Sequence, residues 1–473
     1  MKRDASTCAL PWVLRMVFML AALWPAWGLA TPQIAVRSAD GCATCHVDPV
    51  DWENPELAYR KCSLNCTTCH VVPTGGGMRN ESGLYYGQVT LPTFLKRDVP
   101  PVQYTRPTLD APSTQPSEAP ATQPATAAVD APATQPATAA VRAVVPPPGS
   151  ADRYGGIEPF PFFQFGTDVR FLAYFPNQEG EDNAFFPMQT DLLLALRPYN
   201  PKQLNQGRLT LYAAPGALGA RKPENIEAKD RLFVREYFAM FHDLPYQVYV
   251  RAGRFLPAFG WKLDDHTPFI RQGQTFLGAP FDHERQVTGV EAGINPNYFF
   301  AHVSAFNAAN DWKAPVDADA GWGTAVHAGW RDLPWHLAGS LMLGGRKGES
   351  QQMVGANWAV NLAPLGLIPL SYLGEYDLNR VTPEGGDARV GLVAFHELDY
   401  ALHDGVHLKT RYEWQDSSID DAYDTRHRVV LGAEWHAVRH LEVIVQYRHN
   451  WAYAEDRFSA DADEAFVQLH GWY

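Results

Sequence analysis

The sequence predicts an all-β fold, a closed antiparallel barrel of about 16 strands whose outer face meets lipid. Three features of residues 156–473 carry this expectation. Apolar and polar residues alternate strictly, tight turns alternate with longer polar links, and the chain finishes on an aromatic residue, Tyr473.

The elements before the barrel are read in order. The chain starts with a short basic stretch, Met1-Lys2-Arg3, followed by the apolar run "WVLRMVFMLAALWPAWGLA". With small residues at Gly28-Leu29-Ala30, residues 1–30 have the form of a secretory signal peptide cut after Ala30. Cys8 lies inside it and is given no role. Export puts the remaining chain in an oxidising compartment, where a thiol needs a reason.

Residues 31–98 hold the remaining five of the six cysteines. Cys42-Ala43-Thr44-Cys45-His46 and Cys66-Thr67-Thr68-Cys69-His70 are both Cys-x-x-Cys-His motifs. In this pattern two thiols form thioether links to a porphyrin, and the adjacent histidine reaches the iron as proximal ligand. Two copies in one exported chain predict a small dihaem module with two covalently attached c-type haems. Two alternatives stay open: the four cysteines also have the spacing of a structural zinc site, and either pair could be a redox dithiol. The histidine after each pair favours haem. Met78, in "PTGGGM", is the one methionine of the segment and a candidate second axial ligand; packing against the ring is the plainer alternative. Gly75 to Gly77 would let the backbone approach a ring closely. Cys62 belongs to neither motif and reads first as a small buried hydrophobe, with a ligand or half of an intermolecular disulfide as the open alternatives.

Residues 99–155 form a low-complexity linker. "APATQPATAAVD" from Ala119 is followed at once by "APATQPATAAVR". Ala, Pro, Thr and Gln without large apolar groups cannot bury enough surface to fold, so this segment is expected to be disordered.

In the barrel region, "LEVIVQYRHNW" puts Leu441, Val443, Val445, Tyr447 and Trp451 on one face and Glu442, Gln446, Arg448 and Asn450 on the other. "VHLKTRYEW" divides likewise, with His407, Lys409, Arg411 and Glu413 on the polar face. In a soluble sandwich the apolar face would meet a second sheet; in a membrane barrel it meets lipid and the polar face lines the lumen. The links favour the barrel. Short turns are expected at 242–245, 295–297, 332–334, 403–405 and 437–440, and longer polar links at 223–230, 310–321 and 416–424. His327, His407, His436 and His470 fall on the polar face. A haem module lodged in the pore could take a second ligand from one of them.

A net charge of −13 with no basic patch excludes a nucleic-acid partner. After the N-terminal segment no apolar run is long enough for a membrane helix.

A signal peptide, a small Cys-x-x-Cys-His segment and a barrel in one chain resembles the fused cytochrome–porins of iron-oxidising bacteria. The familiar members carry one haem motif; this chain has two and a long linker. Separately, "VRAGRFLPAFGWKLDDHTPFIRQG" (250–273) is similar to the Gly-[Arg/Gln]-Phe-x-x-Pro-Phe-Gly region of phosphate-selective-type porins. Gly253, Arg254, Phe255, Pro257, Phe259 and Gly260 match, and Ala258 is inserted. No run of lumen lysines accompanies it, so phosphate transport is not implied. The first resemblance implies an outer-membrane protein passing electrons between the periplasm and an extracellular donor or acceptor, Fe(II) oxidation being one case. Its partners would be periplasmic carriers such as soluble cytochromes, an external redox partner and outer-membrane lipid. The haem module would sit in the periplasm or inside the lumen. Whether the chain is itself a cell-surface metal oxidase or reductase is left open. The alternative is a solute-conducting porin with a tethered periplasmic dihaem module for electron transfer or sensing.

Overall fold

The computed structural model describes residues 66–91, 93–95, 161–177, 181–199, 207–219, 231–263, 265, 267–281, 286–296, 298–332, 334–421, 423–454 and 457–473. The expected signal peptide (1–30), Cys42, Cys45, His46, Cys62 and the expected linker (99–155) lie outside the described residues.

The strands are β1 (Phe163–Pro176), β2 (Ala184–Tyr199), β3 (Arg208–Leu218), β4 (Leu232–Leu244), β5 (Val248–Phe255), β6 (Thr275–Phe276), β7 (Ala279–Pro280), β8 (Val287–Ile294), β9 (Phe299–Asn307), β10 (Trp322–Arg331), β11 (Trp335–Arg346), β12 (Glu349–Asn361), β13 (Leu370–Pro383), β14 (Arg389–His403), β15 (Val406–Asp416), β16 (Thr425–Val438), β17 (Leu441–Ala454) and β18 (Arg457–Trp472). All but β6 and β7 form one closed antiparallel barrel of 16 strands, each paired with its sequence neighbour. The first and last strands close it in the register Asp168↔Trp472 through Pro176↔Glu464. The expected strand number and topology are borne out. Closure leaves no row of unpaired backbone groups, which is the condition for crossing a bilayer with strands.

The two faces are inverted relative to a soluble protein. Val326, Leu341 and Val354 form a cross-strand row on the outside, 39%, 37% and 50% exposed. Their chain neighbours His327, Ser340 and Met353 are buried on the inside. The polar-face assignment of His327, His407, His436 and His470 is borne out, since all four line the lumen. Exposed aromatics ring the short-turn end, at Tyr246, Tyr298, Trp330, Trp335 and Trp435, and the other end carries Phe175, Phe185 and Trp322. Such girdles sit where lipid meets water.

Two expectations need correcting. The links do not divide cleanly by length. The end with long links also has tight hairpins, between Arg346 and Glu349 and between Ala454 and Arg457, while 362–369 is a longer link at the short-turn end. The lumen wall is also not uniformly polar. Tyr212, Phe238, Met240, Phe306, Met342 and Met353 point inward into one buried apolar cluster. The physical reason is that chain is packed against them from within, as described below.

Leu341 lies mid-strand on the outer face. Leu341→Arg is therefore expected to cost about 2–4 kcal/mol in reversible unfolding from lipid vesicles, whereas Leu341→Val should cost far less.

Candidate functional site

Among the described residues, two pieces of chain enter the barrel. The first is the loop 256–286 between β5 and β8, which carries the short helix α1 (Phe269–Gln272) and the β6–β7 hairpin. Inward carboxylates and amides on the opposite wall hold it. Trp261 N–H donates to Glu375 at 2.6 Å and its indole N–H to Gly374 O at 3.0 Å. Arg271 pairs with Glu375 at 3.1 Å. Phe269 N–H donates to Glu413 at 2.6 Å, and Leu277 N–H to Gln351 at 2.6 Å. The porin-like motif explains itself here. Gly260 has φ +54, and a Cβ at that position would lie 2.0 Å from Glu375 Oε1, so only glycine lets the loop approach its carboxylate.

Asp265 clamps the same loop to the β15 and β17 walls, 2.8 Å from Arg411 and 3.5 Å from Arg448. Burial alone would raise this carboxyl, but the two guanidiniums outweigh it and hold it well below the usual carboxylate range.

The second piece is the chain before the barrel. Cys66–Thr68 form a 3₁₀ turn, closed by Cys69 N–H to Cys66 O at 3.2 Å, and His70 N–H donates to the same carbonyl at 2.9 Å. His70 pairs with Arg79 across a small antiparallel bridge, and Val71 N–H donates to Met78 O at 2.9 Å. The turn of this bridge is Gly75-Gly76-Gly77, with φ of +85, +72 and +61. A short helix (Glu81–Tyr85) follows.

The wall grips this segment at many points. Glu81 pairs with Arg197 at 3.4 Å, both buried. Gln164 donates to Arg79 O at 2.8 Å, Lys262 to Gly75 O at 2.7 Å and Asn295 to Pro73 O at 3.1 Å. Arg79 lies over the Trp472 ring at 5.0 Å. Val71, Val72 and Met78 pack into the inward apolar cluster. Phe94 N–H and Leu95 N–H then bond to His436 O and Ala437 O of β16, so the segment leaves at the short-turn end.

Between segment, loop and wall lies a cavity of about 580 Å³, within the ~300–1,000 Å³ range usual for cofactor sites. Cys66, Cys69 and His70 line it. The same cavity is lined by histidines from seven strands of the wall: His302, His327, His336, His403, His407, His436 and His470. The structure thus brings the second Cys-x-x-Cys-His motif and all four expected histidines to one space. His302, His336 and His403 were not expected; the only sequence signal of the first two is the two-residue alternation of β9 and β11. Met78 is placed elsewhere, 1% exposed within the apolar cluster. A turn carrying two thiols and a histidine into a cavity of this size fits a thioether-bound haem. The residues that would hold it are Cys66 and Cys69 as attachment points and His70 as proximal ligand.

The wall histidines are not equivalent. His407 is held by Asp399 at 3.0 Å. His470 sits between Glu442 at 2.9 Å and Asp168 at 3.3 Å, and His436 lies 3.2 Å from Glu434. Glu434, His436 and Glu442 bring one donor atom each within 4.8 Å of one another, but Lys409 already pairs with Glu434.

The geometry agrees with comparisons to solved structures. The chain is similar to a loop-deletion form of OmpT, an outer membrane protein of Vibrio cholerae, at 11% identity and TM-score 0.50, over 66% of this chain and 99% of that one. It is likewise similar to the anion-selective porin from Comamonas acidovorans, at 11% identity and TM-score 0.51, over the same shares of the two chains. The fold is therefore that of the outer-membrane porins. No protein-family model matches the chain, and no curated protein matches its sequence.

Two tests follow. Asp265→Asn removes one charge of a buried cluster, a change that costs about 3–5 kcal/mol, and should make the loop 256–286 more susceptible to protease. In the parent chain the Asp265 clamp is fully present above about pH 4, the ordinary Asp value, and weakens only as pH falls through its depressed value. Protection should therefore hold through mild acid. Second, deleting residues 66–95 should raise ionic conductance in planar bilayers well above that of the parent, and Arg197→Ala should raise it less.

Proposed function

We propose that the protein is an outer-membrane electron-transfer protein in which a covalently bound haem sits inside the porin-like barrel. The observation that carries this reading is the position of Cys66, Cys69 and His70, which open onto a histidine-lined cavity within the lumen. When bound, the group supplies a one-electron iron couple. The chain's own residues do the rest. The two thiols and His70 hold the ring, the 66–95 segment is fixed by its grips on the wall, and the arginines and carboxylates of the lumen set the local field. The first motif, Cys42-Cys45-His46, would carry a second haem. Electrons would pass between a periplasmic carrier, such as a soluble cytochrome, and an extracellular donor or acceptor. Oxidation of external Fe(II) is one such reaction, each ion giving up one electron.

A solute-conducting porin with a tethered dihaem module is the second reading. It is favoured by the charged lumen, the inserted loop and the likeness to porins.

The test has two parts. Cys66→Ala/Cys69→Ala should lower haem per chain from two to one by pyridine haemochrome assay; an unchanged content rejects attachment at this motif. In liposomes loaded with an electron acceptor, an impermeant external donor should reduce the acceptor while sugars are retained. Free passage of sugars without electron transfer would favour the porin reading.

A further inference from the structure

We propose that His302, on the barrel wall, is the second axial ligand of the haem held at Cys66, Cys69 and His70. The inference rests on the haem reading above and adds a residue of β9 to the site.

A ligating histidine offers one ring nitrogen to the metal and donates the other N–H to an anchor that fixes ring and tautomer. His302 has this arrangement. Glu291 Oε1 receives Arg251 at 2.7 Å and the Tyr249 hydroxyl at 2.7 Å. The Tyr249 proton is therefore committed to Glu291, which Arg251 holds as its ion-pair partner. The same hydroxyl lies 2.7 Å from His302 Nδ1, so in that contact its oxygen must accept and Nδ1 must carry the proton. This leaves Nε2 with a bare lone pair on a ring that lines the cavity. The backbone is shaped for the contact. Gly293 faces His302 across the β8–β9 pair, and a Cβ there would lie 2.4 Å from the Tyr249 ring and 2.7 Å from His302 Nδ1.

The position is also right. Cys66 lies close enough to Tyr249 and Arg331 to act on both electrostatically. The Arg331 guanidinium lies over the Phe300 ring at 4.8 Å, and that ring is 5.7 Å from His302. Four other candidates are placed less well. His470 has both nitrogens facing carboxylates. His407 is anchored at the opposite, β14–β15 wall. His327, stacked on His302 at 6.3 Å, is held by Ser340 at 2.8 Å, a contact that leaves its tautomer undetermined. Met78 packs among Val72, Tyr212 and Phe238.

The experiment uses the full haem-loaded chain in detergent. In His302→Ala, haem per chain should stay at the parent value. The low-spin ferric signal in electron paramagnetic resonance should fall by one haem, about half for two low-spin haems, with a high-spin signal in its place. Added imidazole should restore it. His302→Met keeps a ligand at the position and covers the case in which the alanine variant does not assemble. It should raise the potential of one haem and leave the other unchanged. Full haem content with an unaltered low-spin signal in His302→Ala, or unaltered potentials in His302→Met, overturns the proposal. So does loss of the signal in His327→Ala or Met78→Leu with His302 intact. Failure of the haem reading looks different: Cys66→Ala/Cys69→Ala would then leave the haem content unchanged.

Discussion

The structure depends on one constraint. In hydrocarbon every backbone N–H and C=O must find its partner within the protein. Sixteen strands meet this by closing on themselves through β1 and β18. Closure with a two-residue side-chain period forces one face of every strand toward lipid and the other into the lumen. Because the outer face has to be apolar, the polar and ionisable residues collect inside, where little water reaches many of them.

Those inward charges then need partners, and satisfying them organises the rest of the site. Glu375 and Glu413 would be costly buried alone; each accepts hydrogen bonds from the 256–286 loop. Arg197 is matched by Glu81 of the N-terminal segment. The apolar side obeys the same logic. Met240, Met342 and Met353 point into the lumen because Val71, Val72, Met78 and the β6–β7 hairpin cover them. The barrel therefore has an interior core, built from its own wall and from chain that is not part of the wall.

The division into wall and links was legible in sequence, because period-two alternation is local. The two faces of β15 and β17 follow directly from "VHLKTRYEW" and "LEVIVQYRHNW". The thiol–histidine turn was legible for the same reason, being a five-residue pattern. What the sequence did not disclose depends on closure. Glu81 and Arg197 are 116 positions apart, and Asn295 and Pro73 are 222 positions apart, and nothing local marks them as partners. His302 is hidden in "FFAHVSAFN", where it is one inward polar residue alternating with outward apolar ones, as Ser304 is. Its meaning comes from Tyr249 and Gly293 on neighbouring strands. The inward methionines were illegible too, since alternation alone assigns them to a polar wall.

The two functional readings make opposite demands on the lumen. A solute pore needs free cross-section; an electron carrier needs a ring held at a fixed depth. The apolar band of such a barrel is about 25 Å tall, so a carrier tethered outside it would leave most of that insulating height uncrossed. A carrier seated inside shortens the gap without opening a water path. The 66–95 segment is fixed by side chains from several strands, by a lysine of the inserted loop and by apolar packing. A mere tether would need none of these. Side chains from separate strands have committed hydrogen bonds and charge to holding a thiol-bearing turn at one place in the lumen. That investment is what a fixed redox centre requires and what a permeating solute would have to displace.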